Sequence, residues 1–175
     1  MMHSLNNIIN TLNNYYSEND IYKSLIICET DEYVNNLSRI MEKELYTVFK
    51  ITSSDINNVN TNLINTSSLI KLRNFSNIEY RVLIISYEIW KLINNYLEKY
   101  ILPEQNLIVL YLNTNQKDNI YDWIKDTFNR GFITRPSSNI MIIEDDKLEI
   151  EQLIDHNYVK CKENMYNIHL CEYIY

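Results

Sequence analysis

Short continuous apolar runs alternate along this chain with segments whose apolar residues recur at helical spacing. Residues 4–16 place Leu5, Ile8, Ile9, Leu12 and Tyr16 on one helical face. The run Ser24-Leu25-Ile26-Ile27-Cys28 predicts a first strand. Thr30 can cap the helix that follows, with Asp31 and Glu32 in its first turn, where the helix dipole favours carboxylates. That helix, over about 31–45, carries Val34, Leu37, Met41 and Leu45 on one side. Val48-Phe49-Lys50-Ile51 predicts a second strand. Residues 52–67 predict a long Asn-rich surface loop with room for a helical turn, and 67–75 a short helix. Arg81 to Ser86 is the clearest strand. A helix over 87–99 follows, with Ile89, Leu92, Ile93 and Tyr96 on one face, and Pro103 breaks it. Residues 106–111 predict a strand, 118–129 a helix using Trp123, Ile124, Thr127 and Phe128, 139–143 a strand and 146–155 a last helix. Residues 156–175 form a mixed tail with room for another strand.

Apolar runs separated by amphipathic helices imply a parallel sheet covered on both faces. The expected fold is therefore a three-layer α/β/α sandwich with a mostly parallel sheet, in one domain over 1–175. Such sheets bind ligands beyond the carboxyl ends of their strands. Here those ends read Glu29-Thr30, Thr52-Ser53-Ser54, Ser86-Tyr87, Asn113-Thr114 and Glu144-Asp145.

Composition narrows the chemistry. The chain has 175 residues, a net charge of −7, one glycine, two prolines, fifteen tyrosines and no alanine. This trade of Gly, Ala and Pro for Asn, Ile, Tyr and Lys is the signature of an AT-rich coding sequence, so the Asn-rich patches need no prion-like reading. A single glycine, Gly131, excludes the phosphate-binding P-loop, the dinucleotide fingerprint and the hydrolase nucleophile elbow. Each of those needs glycines for close backbone approach or positive φ. The negative charge opposes strong sequence-independent nucleic-acid binding, which rests on phosphate neutralisation. Three cysteines do not suggest a disulfide framework. Cys28 lies in an apolar run and reads as a core thiol. Cys161, His169 and Cys171 match no standard zinc spacing, so no metal is expected. No apolar run is long enough to span a membrane, and the start lacks the pattern of a signal peptide. A reducing intracellular setting, cytoplasmic or nuclear, is the simplest expectation.

The order of these pieces resembles the second RecA-like lobe, the helicase C-terminal domain, of superfamily 2 helicases, and most of all that of DEAD-box RNA helicases. The resemblance spans about residues 4–170. It rests on Leu25-Ile26-Ile27-Cys28-Glu29-Thr30 followed by Val34 and Leu37, and on Tyr46 to Ser53. Its strongest piece is Phe75 with Arg81-Val82-Leu83-Ile84-Ile85-Ser86-Tyr87. Asn106 to Tyr111, then Tyr121 to Arg130, and Asn139 to Asp146 with Leu148, Ile150 and Glu151 complete it.

The family's chemical motifs are mostly missing. Its His-Gly pair is Thr52-Ser53 here, and its arginine-finger run has become Trp123 to Arg130, in which only Arg130 matches. Arginine fingers stabilise charge on a transferred phosphoryl group and contribute about 10³–10⁵ in rate. The resemblance therefore implies a degenerate lobe, without ATPase or unwinding activity on its own, that docks on a protein or on RNA. ATP and Mg would enter only with a separate ATP-binding lobe, as the C-terminal half of a split ATP-dependent RNA helicase. The resemblance implies Arg130 and Lys125 as nucleotide-contacting candidates. It implies Ser86, Thr52 and Ser53 as RNA-contacting candidates, with a strand-end cap as the plainer role of Ser86. Trp90, at a helix start, is a candidate anchor for a partner or a base. A protein partner or a separate helicase lobe is the expected company, RNA a weaker one, and a membrane is not expected. A receiver-like α/β module stays open as an unrelated alternative, although its third strand would need an aspartate where Ser86-Tyr87 stands.

Overall fold

A computed structural model describes residues 9–10, 12–14, 23–43, 47–55, 81–102, 105, 107–129, 139–144, 147–154 and 157–160. The strands are β1 (Lys23–Cys28), β2 (Thr47–Ile51), β3 (Arg81–Ser86), β4 (Leu107–Tyr111), β5 (Asn139–Glu144), β6 (Lys147–Ile154) and β7 (Asn157–Lys160). The helices are α1 (Asp31–Lys43), α2 (Tyr87–Tyr96) and α3 (Thr114–Asn129). One sheet holds all seven strands in the order β2-β3-β1-β4-β5-β6-β7. The first five run parallel, and β6 and β7 are added antiparallel.

Alternation along the strands sorts the core into two layers. Leu25, Ile27, Leu83, Ile85, Ile108, Leu110, Ile140 and Ile142 face α2 and α3. Ile26, Cys28, Val82, Ile84, Val109, Met141 and Ile143 face α1 and the helical residues Ile9 and Leu12. Most of these side chains are fully buried, each worth about 1.5–3 kcal/mol relative to exposure. This is the expected three-layer α/β/α sandwich.

Each helix start has a local cause. The Thr30 hydroxyl accepts from the Tyr33 amide at 3.4 Å, and Asp31 and Glu32 occupy the first turn of α1. Asn113 and Gln116 form a reciprocal capping box before α3: the Gln116 amide donates to Asn113 Oδ1 at 2.9 Å and the Asn113 amide to Gln116 Oε1 at 3.4 Å. This box starts α3 at Thr114, four residues before the expected 118.

Two expectations are corrected. Residues 147–154 are strand β6, not a helix over 146–155. Ile150, Leu153 and Ile154 fit a helical period, but Lys147 to Glu151 alternates polar and apolar. Pairing decides: Glu144 is the register partner of Lys147, Ile143 of Leu148 and Met141 of Ile150, with two residues between the strands. The tail adds β7. Leu92 also departs from the expected face of α2: it is 37% exposed, whereas Ile89, Trp90 and Ile93 are buried and Tyr96 packs half-buried against the same core.

α2 continues into a π turn, Leu97–Ile101. Its buried residues Ile89, Ile93, Leu97 and Ile101 are spaced by four. In an α-helix each such step drifts about 40° around the axis. A wider turn holds Leu97 and Ile101 on the core side. The turn Ser53–Asp55 falls within the expected loop. The expected helix over 67–75, Pro103, Leu45, Tyr16 and the Cys161, His169 and Cys171 group lie outside the described residues.

Candidate functional site

The helix after β1 lies on one face of the sheet, and the helices after its neighbours β3 and β4 lie on the other. The chain therefore parts on either side of the carboxyl end of β1, the place where open α/β sheets hold ligands. Ile51 and Ile85 are register partners, so Thr52 and Ser86 follow side by side.

The polar groups here are already engaged. Ser86 is 1% exposed, and its hydroxyl caps α2 by accepting from the Ile89 amide at 3.3 Å. The Thr52 amide donates to Asp55 Oδ2 at 2.9 Å, and its hydroxyl lies 3.0 Å from that of Ser54. The Ser53 amide donates to Asp31 Oδ2 at 3.1 Å. Two backbone amides of this edge, those of Thr52 and Ser53, are thus held by the chain's own carboxylates. Beside them the Tyr33 and Tyr111 rings meet at 5.1 Å. Partial burial, then the charges of Glu29 and Glu32, push the Tyr33 phenol above its ordinary pKa. Across β1, Asn119 donates to the Tyr87 hydroxyl at 2.8 Å.

The other candidates lie apart. Lys125 is exposed, with its ammonium 4.7 Å from the centre of the Tyr121 ring. Eleven residues separate it from Thr114, about 16 Å along the helix axis and away from the carboxyl edge. Arg130 lies outside the described residues. Trp90 is 9% exposed and belongs to the core rather than to a surface. Its ring packs against Tyr87 at 5.4 Å and edge-on to Trp123 at 5.6 Å.

A second feature was not foreseen. The π turn carries Glu98 inward, 8% exposed, where it accepts from the Trp123 indole N–H at 2.7 Å. Gln105 Nε2 donates to the Ile101 carbonyl at 2.8 Å. Twenty-five residues separate Glu98 from Trp123. Only the wide turn brings them together, and no local pattern announces it. Tyr96, half-buried against the core layer of α2 and α3, meets the exposed Tyr100 with ring centres 4.7 Å apart.

Among the described residues no group of three or more His, Cys, Asp or Glu side chains is placed to hold a metal ion. No described helix is long and apolar enough to cross a membrane. Comparisons with protein-family models, with characterised proteins and with solved structures find no match.

Proposed function

We propose that this chain is a degenerate helicase C-terminal-type lobe that acts as a non-catalytic protein-docking module in a reducing, intracellular compartment. The observation that carries the non-catalytic part is at the carboxyl edge. Asp31 and Asp55 hold the Ser53 and Thr52 amides, and the Ser86 oxygen, 1% exposed, accepts the capping bond of α2. A phosphate would have to displace carboxylates from their donors in an already acidic setting. The order of motifs and the three-layer sandwich support the helicase-lobe reading. The free, buried Cys28 thiol is compatible with a reducing compartment.

Affinity purification of the tagged chain, with and without nuclease, tests this reading. A protein partner retained after nuclease treatment, with no ATPase activity from the purified chain, is the expected result. Recovery of an ATP-binding lobe whose RNA-stimulated ATPase is lost on Arg130→Ala would replace it with the split-helicase reading.

A further inference from the structure

We propose that the outer face of α2 and its π turn, formed by Leu92, Lys99 and Tyr100 beside the half-buried Tyr96, docks an amphipathic helix of a partner protein whose apolar ridge is flanked by carboxylates. This deepens the docking reading above by naming where the partner sits and what chemistry it presents.

Exposure is the first support. Among the described residues the exposed large hydrophobic side chains are Leu92, at 37%, and Tyr100, at 57%. Both lie on this face, four residues either side of Tyr96. The Tyr96–Tyr100 ring contact joins the last two into one aromatic surface. Tyrosine is enriched among residues that dominate binding energy, because it offers large area at little entropic cost.

The face is also held in place from beneath. Glu98 hydrogen-bonds Trp123, Gln105 holds the Ile101 carbonyl, and Leu97 and Ile101 are buried. A partner meeting this surface has little ordering to do, and preorganisation of this kind favours affinity. The spacing of Leu92, Tyr96 and Tyr100 matches an i, i+4, i+8 ridge, which suits a helix laid alongside.

Charge selects the occupant. Lys99 is exposed and makes no hydrogen bond or ion pair among the described residues. Lys91 is exposed too, paired at 2.8 Å with Glu88. The two lysines against Glu88 leave this face slightly cationic on a chain of net charge −7. A second copy would set Lys99 against an equally cationic face. RNA binding rests on neutralising many phosphates, and this face offers two lysines, one already paired with Glu88. A carboxylate-flanked helix complements Lys99 and covers the apolar ridge.

The test uses the purified full chain and two synthetic peptides of about five helical turns. Both carry the same apolar ridge, one flanked by Glu and the other by Lys. Binding is read by anisotropy of labelled peptide and by emission of the two tryptophans, one of which, Trp123, lies beneath the turn. The Glu-flanked peptide is expected to bind saturably and about tenfold tighter than the Lys-flanked one. Tyr100→Ala and Leu92→Ser are each expected to weaken it by about tenfold or more, and Lys99→Glu to abolish the preference. All three side chains are exposed, and unchanged circular dichroism confirms that the variants fold. Equal binding of both peptides, binding of neither, or binding indifferent to Tyr100→Ala overturns the proposal. So does a single-stranded RNA oligonucleotide that binds this face, or a dimer in sedimentation that Tyr100→Ala dissolves. The components are purified and synthetic, so failure here is distinct from failure to recover a cellular partner.

Discussion

The carboxyl edge of the sheet and the outer face of α2 lie on the same molecule and are opposites in what they leave uncommitted. At the carboxyl edge two amides that could meet an anion are taken, the Thr52 amide by Asp55 and the Ser53 amide by Asp31, and the Ser86 hydroxyl oxygen caps a helix. On α2 the polar work is done on the inner side, by Glu98 and Trp123, while Leu92 and Tyr100 face solvent. The difference teaches that fold class alone does not locate binding capacity. At the carboxyl end of the sheet, where open α/β folds hold ligands, two backbone amides are bonded to the chain's own carboxylates.

The largest effect is expected where the two regions share their support, in the aromatic layer under α2. Trp123→Ala removes a buried ring and the indole that donates to Glu98, a loss of about 3–5 kcal/mol by urea unfolding. Glu98→Gln keeps an acceptor for the indole and should cost less than half as much. A Trp123→Ala loss below about 1 kcal/mol would show that α2 is not anchored this way.

Next come the carboxylates that close the edge. Asp55→Ala and Asp31→Ala each remove an acceptor from a backbone amide, at a cost of about 1 kcal/mol. If these groups exclude anions, the double variant gains a phosphate-dependent rise in melting temperature that the parent lacks. Equal phosphate response in both would erase the contrast between the two regions.

Cys28 supplies a comparison in pH. Burial raises its thiol well above the ordinary value of 9.0. The folded thiol therefore stays neutral while the unfolded one ionises. Its contribution is complete below pH 9 and is lost as pH rises above it, by up to about 1.4 kcal/mol per pH unit. The stability difference between parent and Cys28→Ala should be flat below pH 9 and shrink above it. A difference that grows with pH contradicts a buried neutral thiol.

The smallest effect on stability is expected on the outer face itself. Lys91→Ala removes an exposed ion pair and should leave the melting temperature unchanged, and Tyr100→Ala removes an exposed ring at a cost within about 0.5 kcal/mol. Large losses there would mean that the face serves the fold and not a partner.

The parallel half of the fold was legible because each strand is a continuous apolar run and each helix start has a short-range cap. Ser24 to Cys28, Arg81 to Ser86 and Thr30 announce themselves locally. The β5–β6 hairpin was not legible, because Ile150, Leu153 and Ile154 fit a helical period as well as a strand, and cross-strand pairing decides between them. Leu92 shares the helical stripe of Ile89, Ile93 and Tyr96 yet is exposed, for a related reason. Two stripes spaced by four run along that helix, and periodicity does not say which one meets the sheet. Ser86 was legible as a position, and its hydroxyl takes the plainer role of a cap. The contact between Glu98 and Trp123 depends on a π turn and on a neighbouring helix, neither of which a local pattern encodes.

The measurement closest to the central claim is amide hydrogen exchange of the purified chain, alone and with the Glu-flanked peptide. Protection gained over 92–101, with 29–32 and 52–55 unchanged, is the predicted result. Protection gained at 29–32 and 52–55 instead, or nowhere, would contradict it.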